Sequence, residues 1–101
     1  MYSQHGSVPK ITNINFTDGS IELSHIFRPD VKQFTISARN SQKFLFSYEE
    51  NGTSSNYMTI PENAVYYETY IKDTLTIYFL VPNASEESPE TLEILEWMSE
   101  D

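Results

Sequence analysis

The stretch Lys43–Pro61, KFLFSYEENGTSSNYMTIP, constrains the fold more than any other. An apolar run (Phe44, Leu45, Phe46, Tyr48) meets a polar segment, Glu49 to Asn56. A second apolar run (Tyr57, Met58, Ile60) stops at Pro61. Two short β-rich segments around Asn51-Gly52 read as a hairpin, because Asn-Gly tolerates the positive φ that such turns require. The remaining strands are expected to pack around this hairpin or to pair beside it.

Upstream, Lys10–Phe16 alternates weakly, with Ile14 and Phe16 on one face. Thr17-Asp18-Gly19-Ser20 is a turn by composition. Ser20–Ile26 alternates again, and these two segments read as a first hairpin. Pro29 breaks the pattern, since it cannot donate to a ladder and restricts Arg28. Val31–Arg39 resumes it, with Phe34, Ile36 and Ala38 facing one way and Gln33, Thr35 and Ser37 the other. Beyond Pro61, the aromatic run 65–71 reads as a strand, with a helix over 62–70 as the alternative. Leu75–Val81 is apolar on both faces, which suits a strand in the middle of a sheet. Glu90–Trp97 closes the chain as a strand that puts Leu92 and Ile94 on one face and Leu95 and Trp97 on the other; one amphipathic turn of helix also fits.

The outcome is an all-β domain: an antiparallel β-sandwich or small barrel of seven to eight strands over residues 10–101, with turns at the spacing such folds show. Residues 1–9 lack periodicity and read as a flexible N-terminal arm. At 101 residues one core can form. Fourteen per cent aromatic content favours pleated, half-buried surfaces.

The absence of cysteine removes disulfides and thiolate metal sites and leans towards a reducing cytoplasm. No secretory signal pattern opens the chain, no apolar run is long enough to span a bilayer, and the Asn-x-Ser/Thr sequons at Asn15, Asn51 and Asn83 read as accidental. The net charge of −9 disfavours direct binding to nucleic acid. Seven of the fifteen acids fall in the last sixteen residues. They read as a solvated edge and tail, or alternatively as an acidic surface for a basic partner.

The search for chemistry is mostly negative: no phosphate-binding glycine loop and no zinc-protease motif occur. A Ser-His-Asp arrangement would have to use His25 with Asp30 or Asp18, and His25 reads better as a surface histidine. Glu49 and Glu50 point apart and are too exposed to serve as a glycosidase pair. No catalytic, cofactor-binding or metal-ligating residue is expected. Tyr57, Tyr66, Tyr67 and Tyr70 would line the core, pair across strands, stack on a sugar, or face outward as a protein contact.

Ile36–Asn40, Phe46-Ser47-Tyr48, Tyr57–Pro61, Leu75–Phe79 and the closing Leu-Glu-Ile-Leu-Glu-Trp of Leu92–Trp97 together resemble a family of small β-rich bacteriophage virion proteins. The likeness covers about residues 31–97, and differs in placing Glu62-Asn63 after the Ile-Pro step, where the family usually has glycine. It implies a non-enzymatic virion structural protein made in the bacterial cytoplasm: a capsid decoration (cement) protein, a head-fibre base, or a neck or tail accessory. Its partners would be other virion proteins, the major capsid protein first. A homo-oligomer is expected, with a trimer favoured by lattice symmetry. Tyr2, Val8 and Pro9 on the arm, with Tyr57, Tyr66, Tyr67 and Tyr70, are the expected contact residues. The rival readings are a carbohydrate- or receptor-binding module on the same scaffold and an acidic inhibitor of a host protein.

Overall fold

A computed structural model describes residues 9–29, 31–69 and 75–98, the side chain of Met98 excepted. Eight strands are found among them: β1 (Lys10–Phe16), β2 (Leu23–Ile26), β3 (Val31–Ala38), β4 (Phe44–Ser47), β5 (Met58–Ile60), β6 (Val65–Glu68), β7 (Thr76–Leu80) and β8 (Glu90–Met98). They form two four-stranded sheets, ordered β1-β8-β3-β6 and β2-β7-β4-β5. Every pairing is antiparallel. The architecture is therefore the expected all-β sandwich.

The register shows how the chain reaches it. β1 pairs with β8, β2 with β7, β3 with β6 and β4 with β5. The chain is thus folded in half at the β4–β5 turn and rolled so that successive strand pairs alternate between the two sheets. This is the connectivity of a jelly roll.

Alternation along the strands fills the space between the sheets. Phe34, Ile36, Leu92 and Ile94 from one sheet meet Phe44, Phe46, Ile77 and Phe79 from the other, all essentially without solvent contact. Phe27 stacks on Phe34 with ring centres 4.4 Å apart. Each such side chain contributes several kcal/mol, and truncating a buried Phe to Ala costs about 3–5 kcal/mol.

The chain departs from its sequence-based reading in several places. The Lys43–Pro61 hairpin forms, but β5 lies at the end of its sheet, and the central strands are β7, β8, β3 and β4. Asn51 takes the positive φ of 63° in its turn, whereas Gly52 does not. Gly52 is required for another reason: a Cβ there would sit 1.9 Å from the Ser47 hydroxyl.

Residues 10–26 are not a hairpin, since β1 and β2 belong to different sheets. Asp18 accepts hydrogen bonds from the Ser20 amide and hydroxyl, and Gly19 presses against the Pro82 carbonyl, so the chain turns a corner between sheets. Residues 65–68 and 90–98 are strands, which settles the two helical alternatives. Asn63, after the Ile-Pro step, has φ 66°, a left-handed conformation that Asn tolerates better than most residues.

The acids of β8 do not form a uniformly solvated edge. Glu90 and Glu96 are 1% and 0% exposed, because the alternation that buries Leu92 and Ile94 buries them as well. Glu90 accepts hydrogen bonds from the amides of Asn40, Gln42 and Thr91, at 2.8, 3.0 and 2.8 Å, and so anchors the crossing from β3 to β4. The rest of the arm, residues 1–8, lies outside the described residues.

Candidate functional site

The two lateral margins of the sandwich are built from different chemistry. At the β1/β2 margin, His25 on β2 and Glu96 on β8 both point inward and meet, Nε2 to Oε2, at 2.7 Å. A carboxylate only accepts, so the imidazole Nε2–H is the donor. Phe27 packs edge-on against the His25 ring, 4.8 Å between centres. Arg28 brings its Nε to 3.8 Å from Glu96 Oε1, a Coulombic approach beyond hydrogen-bonding distance. The His25 side chain is only 10% exposed, so it is not the surface histidine that its sequence neighbourhood suggests. Its partner is Glu96, 71 positions away, rather than Asp18, and Asp30 lies outside the described residues. The pair ties the sheets together and takes no part in the cleft at the opposite margin.

At the opposite margin, β5 and β6 end their sheets side by side and leave a cleft of about 240 Å³. Phe46 lies within it, in contact with Tyr66 at 4.5 Å and edge-on with Tyr48 at 5.7 Å between ring centres. Tyr48, Tyr57 and Met58 line the opening, each about half exposed. Ser47 and Asn56 supply polar groups.

A hydroxyl relay crosses this margin. Tyr66 Oη donates to Glu68 Oε2 at 3.1 Å, which uses its one proton. The Tyr48 hydroxyl, 3.4 Å from that of Tyr66, is then the donor between the two. Tyr66 is held well above the ordinary phenol value of 10.0, first by burial and then by the Tyr48 hydroxyl and the Glu68 carboxylate.

The loop below the margin is held by Glu22. Its carboxylate accepts from the Asn51 amide at 2.8 Å, the Thr53 amide at 3.2 Å and the Thr53 hydroxyl at 2.5 Å. Burial alone would raise the Glu22 carboxyl, but these three donors outweigh it and hold it below the usual range.

Strand alternation separates the expected contact tyrosines. Tyr57 and Tyr66 share the cleft. Tyr67 turns to the outer face of its sheet, where its hydroxyl donates to Gln33 Oε1 at 3.1 Å. There it ends a row running Ile11, Leu95, Thr35, Tyr67 across four strands. Because β6 is the last strand, Tyr66 and Tyr67 flank the same margin, with exposed Val65 beside them. Pro9 sits half-buried before β1, at the other margin. Tyr2, Val8 and Tyr70 lie outside the described residues.

Tyr48 was legible as part of the apolar run and not as a contact; its place in the cleft depends on how β4 leaves its sheet. Among the described residues, no group of three His, Asp or Glu is placed to hold a metal ion. No protein-family model, curated protein or solved structure matches the chain.

Proposed function

We propose that the chain is a non-enzymatic structural protein of a bacteriophage virion, most simply a capsid decoration protein bound to the major capsid protein through its tyrosine-lined margin. The observation that carries this reading is the concentration of half-exposed Tyr48, Tyr57, Met58, Val65 and Tyr67 around one edge of a jelly roll. Exposed aromatic clusters are characteristic of contact surfaces, where Tyr anchors contribute most of the binding energy. Jelly rolls recur in viral capsid domains, and this supports the reading by analogy of fold. A symmetric shell multiplies a modest contact by avidity, so a small margin suffices for each subunit, whether monomer or trimer.

Quantitative peptide mass spectrometry of purified virions from the source tests it. Many copies per particle are expected for a decoration protein, and a few for a neck or tail component. Absence from the particle would exclude the virion reading and leave an acidic inhibitor acting in the host cell.

Jelly rolls also occur in lectin domains, and a tyrosine-lined cleft favours a sugar-binding module as the second reading. Isothermal titration of the isolated chain against a glycan panel separates the two.

A further inference from the structure

The cleft between β5 and β6 has a chemical preference of its own. We propose that it receives an arginine side chain presented by a basic partner surface. This rests on reading the margin as a contact surface, and it adds which group the contact recognises.

Exposed ring area, an open hydroxyl oxygen and negative charge together point to a guanidinium. Tyr48 and Tyr57 expose 48% and 50% of their surface, so ring area remains free around the Phe46 and Tyr66 packing. Aromatic faces carry negative potential and attract cations held within about 6 Å of the ring centre. The hydroxyl relay runs from Tyr48 through Tyr66 to the Glu68 carboxylate, which leaves the Tyr48 oxygen with lone pairs to accept an N–H. Among the described residues no Lys or Arg lines the cleft, Glu49 and Glu50 follow Tyr48 directly in exposed positions, and the chain carries a net charge of −9.

Size narrows the choice. At about 240 Å³ the cleft falls below the roughly 300–1,000 Å³ of sites that enclose whole small-molecule ligands, and suits a single side chain. Arginine fits better than lysine because its planar guanidinium stacks on aromatic faces and is more weakly hydrated.

The test is an NMR titration of the full chain with the peptide acetyl-Gly-Arg-Gly-amide, following the ring resonances of Tyr48, Tyr57 and Tyr66. The same peptide with citrulline, which keeps the shape and loses the charge, is the control. Methyl β-glucoside is the rival probe. The arginine peptide should bind about two- to fivefold more tightly than the citrulline peptide, as expected for an exposed cation–π contact. Its affinity should fall as salt rises. Tyr57→Phe keeps the aromatic face and should stay within about twofold of the parent, whereas Tyr57→Leu should abolish the preference for arginine. Tyr57 is half exposed, so neither change should unfold the chain. Equal binding of the arginine and citrulline peptides, or shifts with the glucoside alone, would overturn the assignment. The virion reading fails separately: absence from particles with arginine selectivity intact removes the virion and keeps the cleft, and the reverse outcome does the opposite.

Discussion

The two margins of this sandwich solve the same geometric problem in opposite ways. Each must end two stacked sheets without leaving the core open. The β1/β2 margin closes with charge, since a fully buried Glu96 is taken up by His25 from the facing sheet and approached by Arg28. The β5/β6 margin closes with aromatic rings, as Tyr66 packs on Phe46 while Tyr48 and Tyr57 remain half in solvent. A buried charge tolerates little change, because removing its partner leaves an uncompensated ion. An aromatic edge tolerates much, because an exposed ring carries little of the fold's stability. The closed margin therefore specifies structure, and the open one keeps its aromatic surface exposed.

That contrast can be broken most severely at Glu96. Glu96→Ala removes the acceptor for His25 and opens a cavity at a fully buried position. A loss of about 3–5 kcal/mol is expected from the urea unfolding midpoint. A double-mutant cycle with His25→Ala should give a coupling of about 0.5–3 kcal/mol, and additivity would deny the pair its role.

A smaller effect is expected at the corner between β1 and β2. A Cβ on Gly19 would lie 2.1 Å from the Pro82 carbonyl oxygen, and backbone cannot swing aside as a side chain can. Gly19→Ala should cost about 1–3 kcal/mol as an overpacking strain. A thermal midpoint equal to the parent's would show that the corner is not tightly held.

Acid should loosen the open side through Glu22 and the corner through Asp18. Both carboxyls are held below their ordinary values of 4.5 and 3.8: Asp18 by the Ser20 hydroxyl and amide, Glu22 by Thr53 and the Asn51 amide acting against burial. The unfolded chain therefore takes up protons first as pH falls. The stabilisation is present above the ordinary values and is lost as pH drops through the folded ones. The protection factors of residues 51–53, taken against the intrinsic exchange rate at each pH, should fall between about pH 5 and about pH 3, and Glu22→Gln should flatten that dependence. Unchanged protection at low pH would remove Glu22 as the anchor.

The smallest effect on folding is expected at the margin to which the contact role is proposed. Tyr57→Ala should change stability by no more than about 0.5 kcal/mol, as befits an exposed position. On the proposed virion reading it should weaken attachment to particles, measured by co-sedimentation, while His25→Ala should leave attachment unchanged in whatever fraction stays folded.

What could be read in the sequence followed from alternation. Phe34 with Ile36, and Leu92 with Ile94, announce an inward face, and the structure buries all four. The all-β class and most strand positions follow from such pairs. Which strands pair is another matter, because jelly-roll partners lie far apart in sequence: β1 and β8 meet across about eighty residues. A turn such as Thr17–Ser20 looks the same whether it closes a hairpin or crosses between sheets. The same distance hid the His25–Glu96 pair. Glu96 and Glu90 do share the parity of Leu92 and Ile94, so the alternation itself was the signal that they face inward; it was masked by their charge. In the cleft, Tyr57 and Tyr66 were visible as candidates, and their meeting was not, because it depends on two sheet edges lying side by side.

On the proposed virion reading, the most direct test of this division between margins is amide hydrogen exchange of the chain bound to capsids from the source, compared with the free chain. New protection should fall on residues 47–58 and 65–68, which surround the tyrosine-lined cleft, with the β1/β2 margin unchanged. Protection confined to the β1/β2 margin, with residues 47–58 exchanging as in the free chain, would contradict the account.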